Sequence, residues 1–216
     1  MKNLFVVHTQ YSLILASGLT KGRFASGNND LILFQDFKLN KELSDKLLSI
    51  FNNTLLLQGT FSLANGSSLA KAKHYYNSIK SSKSFIKNKY DKVFIVLDMN
   101  LPEMHIMKRA YAMNHEAEFI ALEDGSYPYF LNHVTAGGLD KNSFTRFVRE
   151  ILFKYFLGCG KFYSFEGRFM GANMWLKSIY LTYKDHARMI YKNKNRIEIT
   201  TEEFNAGIDL LFNGTN

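Results

Sequence analysis

The chain has 216 residues, of which 46% are hydrophobic, and this is enough for one large domain with a packed core. Its single cysteine, Cys159, excludes an internal disulfide framework and is typical of a reducing cytoplasm. No apolar stretch reaches the ~18 residues of a membrane-spanning helix. We therefore expect a cytoplasmic protein, either fully soluble or peripheral at the inner face of the membrane.

The formal net charge of +8 is concentrated in one region of the chain. Residues 141–196 hold 12 Lys and Arg against 3 Asp and Glu, a net of +9, so the remaining residues are close to neutral. Aromatic residues, among them Phe147, Tyr155 and Trp175, are interleaved with the basic ones. This composition suits an anionic membrane surface, a polyanionic glycan or nucleic acid, and equally a solvated basic face over an aromatic core.

The first predicted element is a strand over Leu4–Val7, followed at once by His8, Thr9 and Gln10. A helix is predicted from Tyr11 to Gly18, with that glycine as its C-cap. The three polar residues thus lie at a strand-to-helix junction, where helix N-terminal amides can bind an anion. We take them as candidate substrate-binding residues, while a structural hydrogen-bonding role for His8 stays open.

Strands and helices continue to alternate through the middle of the chain. The third predicted strand closes at Gly59, and the fourth ends just before Asn100, so both are further candidate substrate-binding residues. A helix beginning at Ser67 or Ser68 lies between these strands. Its lysines are predicted to face solvent and its apolar residues the core. The residues predicted to be buried on that helix are Leu69, Ala72, Tyr76 and Ile79.

The stretch over Glu118–Pro128 carries the clearest functional signal. An apolar strand there ends in Glu123 and Asp124, followed by Gly125 and Ser126. In open α/β sheets, ligands bind beyond the carboxyl ends of the strands. We therefore take the two acids as candidate catalytic residues, and the glycine and serine as candidate substrate-binding residues. An ordinary acidic loop after a strand is the alternative interpretation.

About five strand-helix repeats with short connections predict an α/β fold, a Rossmann-like parallel sheet with helices on both faces. The composition changes after residue 140: an amphipathic helix is predicted at residues 144–156, and a strand at residues 179–183. We expect a Rossmann-like acceptor-side domain over residues 1–140. Residues 141–216 are predicted to form a basic, aromatic, mostly helical extension that packs on it or seats a missing second domain.

Three of these features together resemble bacterial sialyltransferases: the opening strand with His8-Thr9-Gln10, the acidic pair Glu123-Asp124 before Gly125, and the strand at residues 179–183. The resemblance covers residues 1–190 and is closest to lipooligosaccharide sialyltransferases and capsular polysialyltransferases, which have a two-domain GT-B fold. It implies an inverting, metal-independent glycosyltransferase. Such an enzyme transfers a sugar from a CMP-activated donor to a cell-surface polysaccharide or lipooligosaccharide. The resemblance assigns the general base to Asp124, with Glu123 as its supporting neighbour.

One signature of that family is missing. Its members hold the donor nucleotide with a His-Pro pair in the second domain, and this sequence contains no His-Pro dipeptide. We expect either a truncated enzyme or an acceptor-side domain that works without the usual donor domain. The expected partners are a glycan acceptor, a CMP-sugar if a donor site exists, and an anionic membrane surface. No metal, other cofactor or nucleic acid is expected, and a homodimer through the aromatic helix stays open.

Two other functions remain open at this point. The first is a non-catalytic glycan- or membrane-binding module of a capsule or polysaccharide assembly system, which would use residues 141–196. The second is a flavodoxin-like α/β protein in which Asp98, Glu123 and Asp124 form an acidic Mg²⁺ pocket.

Overall fold

The structure, a computed structural model, describes residues 1–59, 67–126, 128–129, 147–148, 150–163, 171, 173–187 and 191–213. The strands in these ranges are β1 (Lys2–Val7), β2 (Asn28–Gln35), β3 (Asn53–Gln58), β4 (Lys92–Ile95), β5 (Glu118–Leu122), β6 (Leu176–Leu181) and β7 (Asn195–Glu198). The α-helices of ten residues or more there are α1 (Gln10–Lys21), α2 (Lys41–Ile50), α3 (Ser68–Phe85), α4 (Leu101–Met113) and α5 (Thr201–Phe212).

The seven strands form one sheet in the order β3-β2-β1-β4-β5-β6-β7, and every neighbouring pair is parallel. The order reverses between β1 and β4, so the crevice beyond their carboxyl ends is the topological switch point of the sheet. The central strands are continuous apolar runs because both faces of the sheet are covered. Residues 4–7 of β1, for example, are 0% exposed.

The helices form a layer on each face of the sheet. On one face, α3 and α4 enclose a core that includes Val6, Ile95 and Met104. On the other face, α1, α2 and α5 enclose a core that includes Phe5 and Phe94. The predicted Rossmann-like α/β fold is confirmed. None of the helices within the described ranges combines the length and the apolar character that crossing a bilayer requires.

The sheet draws its strands from both sides of position 140. Strands β6 and β7 extend it beyond β5, and helix α5 packs against α1. Part of the predicted aromatic helix is described, as helical residues 147–148 and 150–151 followed by a π-helical turn over Leu152–Phe156. Phe144 lies outside the described residues, as does the predicted boundary at residue 140, which therefore stays a prediction.

The prediction that α1 ends at Gly18 is wrong, because the helix continues to Lys21. Gly18 instead lies where α1 meets α5. A Cβ on Gly18 would fall 1.8 Å from the carbonyl oxygen of Glu203, and a Cβ on Gly207 would fall 2.1 Å from that of Ile14. The two helices therefore approach so closely that their backbones touch, and glycine is needed on both sides of the contact.

The predicted buried stripe of α3 is also wrong, since Leu69 is 80% exposed and Tyr76 is 66% exposed. The residues that α3 buries are His74, Ser78 and Ser82, which are spaced four apart on one side of the helix. Short serine side chains allow α3 to pack closely on its neighbours α4 and β3. The apolar pattern did not reveal this face because the face is formed by small and polar residues.

A candidate active site at the carboxyl edge of the sheet

Most of the residues predicted for the site gather at the carboxyl edge of the sheet. His8 and Thr9 follow β1, and Gly59 follows β3. Asn100 precedes α4, and Asp124 lies two residues after β5. Because the strands are parallel, their carboxyl ends lie along one edge, and the loops that follow them meet there.

His8 is fully buried and is held between two carboxylates. Its Nδ1 lies 3.1 Å from Asp36 Oδ2, and its Nε2 lies 2.5 Å from Glu103 Oε1. The ring also stacks on Phe34, with 4.6 Å between ring centroids. Burial lowers the pKa of His8, but the carboxylates of Glu103 and Asp36 outweigh it and raise the pKa to about 9. At neutral pH His8 is therefore an imidazolium whose two nitrogens each face a carboxylate, and we call His8, Asp36 and Glu103 the His8 cluster.

Gly59 and Asn100 each contact a carboxylate of the His8 cluster. A Cβ on Gly59 would fall 2.2 Å from Asp36 Oδ1 and 2.3 Å from the Gln35 carbonyl oxygen, so a larger residue does not fit without displacement. Asn100 donates from Nδ2 to Glu103 Oε1 over 3.3 Å. The sequence assigned both residues to substrate, and the structure places them around the buried ion pairs.

Glu123 is buried and contacts a separate set of residues. Thr182 donates to its carboxylate from the backbone nitrogen, over 2.9 Å, and from the hydroxyl, over 2.7 Å. The hydroxyls of Tyr11 and Tyr129 also donate to it. Burial and hydrogen bonding to Glu123 raise the pKa of both tyrosines, so both remain protonated donors. This Glu123 cluster (Glu123, Tyr11, Tyr129, Thr182) joins α1, β5 and the end of β6.

Asp124 is half-buried and lies next to the start of α1. Its Oδ1 accepts a hydrogen bond from the Thr9 hydroxyl over 2.5 Å. Burial raises the pKa of Asp124, and the charge on Asp36 raises it further. The Thr9 hydrogen bond and the charge on His8 lower the pKa, but the net effect is an increase. A positioned carboxylate with a raised pKa and partial access to solvent has the properties of a general base.

The remaining predicted residues surround the contact between Thr9 and Asp124. Thr9 is the N-cap of α1, and its side-chain oxygen accepts a hydrogen bond from the backbone nitrogen of Ser12 over 3.2 Å. Gln10 is exposed at the first position of α1, and Ser126 is exposed two residues after Asp124. Gly125 has φ of 61°, a left-handed conformation that favours glycine, with open space where a Cβ would lie. Gln10 and Ser126 are thus exposed within two residues of Thr9 and Asp124 along the chain.

Three residues of this edge were missed in the sequence. Asp36 follows β2 as His8 follows β1, and that parallel was the available signal. No signal in the sequence placed Glu103 on α4 or His74 on α3 in the site. Both contribute a buried side-chain atom, Glu103 Oε2 and His74 Nε2, that has no hydrogen-bond partner among the described residues. Burial lowers the pKa of His74, while the charges on Asp36 and Glu103 raise it in part.

Asp98, the third acid of the proposed Mg²⁺ pocket, belongs to another set of contacts. It is buried and accepts hydrogen bonds from the backbone nitrogens of Gly171, over 2.7 Å, and Asn173, over 2.9 Å. Burial raises the pKa of Asp98 to about 6, against these bonds and the charge on Lys194. Within the described part of the chain, no group of three or more His, Cys, Asp or Glu side chains is arranged to hold a metal ion.

Comparison with protein-family models and with curated proteins found no match for this chain.

Proposed function

We propose that this chain is a glycosyltransferase of sialyltransferase type, or the acceptor-side part of one. It transfers a sugar from a CMP-activated donor to a hydroxyl of a cell-surface polysaccharide or lipooligosaccharide. The observation that carries the proposal is the position of Asp124. This half-buried carboxylate has a raised pKa and is hydrogen-bonded to Thr9 at the carboxyl edge of a Rossmann-like sheet.

In the proposed reaction, Asp124 acts as the general base. Its carboxylate takes the proton of the acceptor hydroxyl while that oxygen attacks the anomeric carbon of the donor sugar. A new carbon-oxygen bond forms, and the bond between the sugar and the phosphate breaks. The nucleoside monophosphate leaves with the electron pair of the broken bond, and the configuration at the anomeric carbon is inverted.

Two neighbouring groups prepare Asp124 for this role. The Thr9 hydroxyl fixes one carboxylate oxygen by a hydrogen bond, which leaves the other oxygen for the acceptor. The imidazolium of His8 lowers the pKa of Asp124 against the effect of burial, and this favours the ionised, proton-accepting form at neutral pH. Glu123 has a structural role in this proposal, because four donors already engage its carboxylate.

The test is transfer from CMP-sialic acid to oligosaccharide acceptors by the wild-type chain and by Asp124→Asn. The variant keeps the shape of the side chain but cannot accept the proton, so we expect transfer to fall by about 10²–10⁴-fold. Asp45→Asn, the same substitution at an exposed position of α2 outside the candidate site, is the matched control and should retain most of the activity. Equal transfer by Asp124→Asn and wild type would contradict the proposal, and no transfer by the wild-type chain would exclude an enzyme whose donor and acceptor sites both lie in this chain.

A second candidate is the non-catalytic glycan- or membrane-binding module, and one observation favours it. A groove of about 510 Å³ between α3 and α4 is lined by Lys80, Lys83, Lys108 and Arg109, and none of the described residues that line it is acidic. This function predicts salt-sensitive binding to an anionic ligand, no sugar transfer, and unchanged binding by Asp124→Asn.

A further inference from the structure

The outer face of α3 combines aromatic, aliphatic and basic side chains. Leu69 and Tyr76 are 80% and 66% exposed, and Lys73, Lys80 and Lys83 are exposed on the same side of the helix, at three- and four-residue spacing. An ordinary solvated helix face carries charges without large apolar groups between them. This face therefore differs from one that meets water alone.

A second group of exposed apolar side chains lies on residues 152–157. Tyr155 is 76% exposed and Phe156 is 80% exposed, and Leu152 and Leu157 are partly exposed beside them. The segment is nevertheless anchored to the protein, because Phe153 packs on the core and stacks on Tyr163 with 4.8 Å between ring centroids. The outward aromatic rings are thus held on a fixed support.

The structure brings these two groups together across the groove between α3 and α4. His105 Nε2 lies 2.8 Å from the carbonyl oxygen of Leu157, and Lys108 Nζ donates to that of Gly158 over 2.7 Å. Burial lowers the pKa of His105, and the nearby charges on Lys83 and Lys108 lower it further. The segment that carries the exposed aromatic residues is therefore held against α4, beside a helix that contributes cations to the groove.

We propose that this combined surface docks the protein on an anionic lipid bilayer. We call it the basic-aromatic face and define it by Tyr76, Lys80, Lys83, Lys108, Tyr155 and Phe156. Aromatic rings enter the headgroup region of a bilayer, and lysines around them bind acidic headgroups, so the two kinds of residue act together. Neither Asp124 nor the His8 cluster belongs to this face, and the proposal stands apart from the chemistry at Asp124.

Charge decides between a bilayer and a second copy of the chain as the occupant. In a two-fold symmetric dimer through this face, each copy would present the same surface. Lysines would then meet lysines, on a chain whose formal net charge is already +8. An anionic bilayer offers the opposite charge over an extended plane, which matches the cations distributed over α3 and α4.

The test is sedimentation of the full chain with two kinds of vesicle, one of phosphatidylcholine alone and one containing about one third phosphatidylglycerol. We expect binding to the anionic vesicles only, and we expect it to weaken strongly as salt rises from about 0.1 M to about 1 M. Lys80→Glu/Lys83→Glu should weaken binding by about tenfold or more, because each cation contributes on the order of 1 kcal/mol near such a surface. Tyr155→Ser/Phe156→Ser should weaken it by about tenfold through loss of the inserted rings.

The matched control lies on the opposite helix layer of the molecule. Leu48 is 64% exposed and Lys41 is exposed, both on α2, and Lys41→Glu/Leu48→Ser should bind as the wild type does. A second measurement retains the aromatic ring: Phe156→Trp in a Trp175→Phe background should shift its fluorescence to the blue on anionic vesicles, whereas Leu48→Trp in that background should not. Four results would overturn the proposal: no binding to anionic vesicles, equal loss in the α2 control, no fluorescence shift at position 156, or a dimer in solution that buries that position.

Discussion

The Glu123 cluster and the His8 cluster lie on the same edge of the sheet but differ in how their hydrogen-bonding capacity is used. In the Glu123 cluster, four donors converge on one carboxylate. In and beside the His8 cluster, Glu103 Oε2 and His74 Nε2 are buried without a hydrogen-bond partner in the described part of the chain. Leaving a buried polar atom unpaired costs free energy that folding alone gives no reason to accept.

The difference helps to separate structural acids from functional ones. A carboxylate surrounded by donors holds elements together, and its removal should reduce stability. Among the described residues, the Thr9 hydroxyl is the side-chain donor to Asp124. The net effect of its surroundings, led by burial, raises the pKa of Asp124, which means that its charge weakens the fold. A residue that reduces stability and is accessible to solvent is a candidate for a catalytic role.

The largest effect on stability is expected for His8→Gln. This change leaves the Asp36 and Glu103 carboxylates buried without their cation, and it should lower the free energy of unfolding by about 4 kcal/mol. Denaturant unfolding followed by circular dichroism measures it. A loss below about 1 kcal/mol would mean that the imidazolium is not the charge that holds this cluster.

The same ion pairs predict a dependence of stability on pH. Folding raises the pKa of His8 from 6.5 to about 9, so the folded state binds the proton more tightly. The resulting stabilisation, on the order of 3 kcal/mol, is fully present below about pH 6.5 and is lost as the pH rises through about 9. Unfolding measured from pH 6 to pH 10 in wild type and His8→Gln should show the difference between them shrinking over that interval. A constant difference would contradict the assignment.

Glu123→Ala should lower the free energy of unfolding by about 3 kcal/mol, because it leaves several donors unpaired at once. Tyr129→Phe, which removes a single donor, should cost about 1 kcal/mol and serves as the graded control. Thermal unfolding of both variants measures the two losses in the free energy of unfolding, so that they can be compared. If Glu123→Ala lowered the free energy of unfolding no more than Tyr129→Phe does, the cluster would not be what holds α1, β5 and the end of β6 together.

Gly59→Ala should cost about 2 kcal/mol, because its Cβ would press on the Asp36 carboxylate and on the Gln35 carbonyl oxygen. The Gln35 oxygen belongs to the backbone and cannot move aside cheaply. Gly125→Ala is a useful comparison, since it meets open space and tests only the left-handed backbone at φ of 61°. Unchanged stability in Gly59→Ala would show that the end of β3 shifts freely.

The smallest effect is expected for Asp124→Asn, whose free energy of unfolding should stay within about 1 kcal/mol of the wild type. The asparagine Oδ1 can still accept the Thr9 hydrogen bond, and a buried charge is removed. Stability of this variant is measured beside its transfer activity. A loss as large as that of Glu123→Ala would place Asp124 among the structural acids and remove the contrast between Asp124 and Glu123.

Much of the fold was readable in the sequence because its signals are local. Apolar runs marked the strands, and three helix starts carry capping residues that are visible in the sequence. Asn40 caps α2, Pro102 lies in the first turn of α4, and Thr200 forms a capping box on α5. Each of these depends on residues within a few positions of one another. Alternation of strand and helix then predicted the parallel sheet.

The candidate site was readable only in part, because its contacts span long distances in the sequence. Position after a strand identified His8 and Asp124, but their partners Asp36, Glu103 and Thr9 come from other elements. The residues near His8 in the sequence did not indicate that both of its ring nitrogens would contact carboxylates. For the same reason, periodicity failed on α3, where the buried residues are polar.

The glycine contact between α1 and α5 has a consequence for how sequences of this fold vary. Gly18 and Gly207 occupy one shared space, so a side chain added to either helix must be accommodated by the other. The two positions are expected to change together over evolution, as a pair separated by most of the chain. Thr9 is the N-cap of α1, so a movement of α1 against α5 would also move the hydrogen-bond partner of Asp124. A substitution on α5 can therefore change the position of the proposed base.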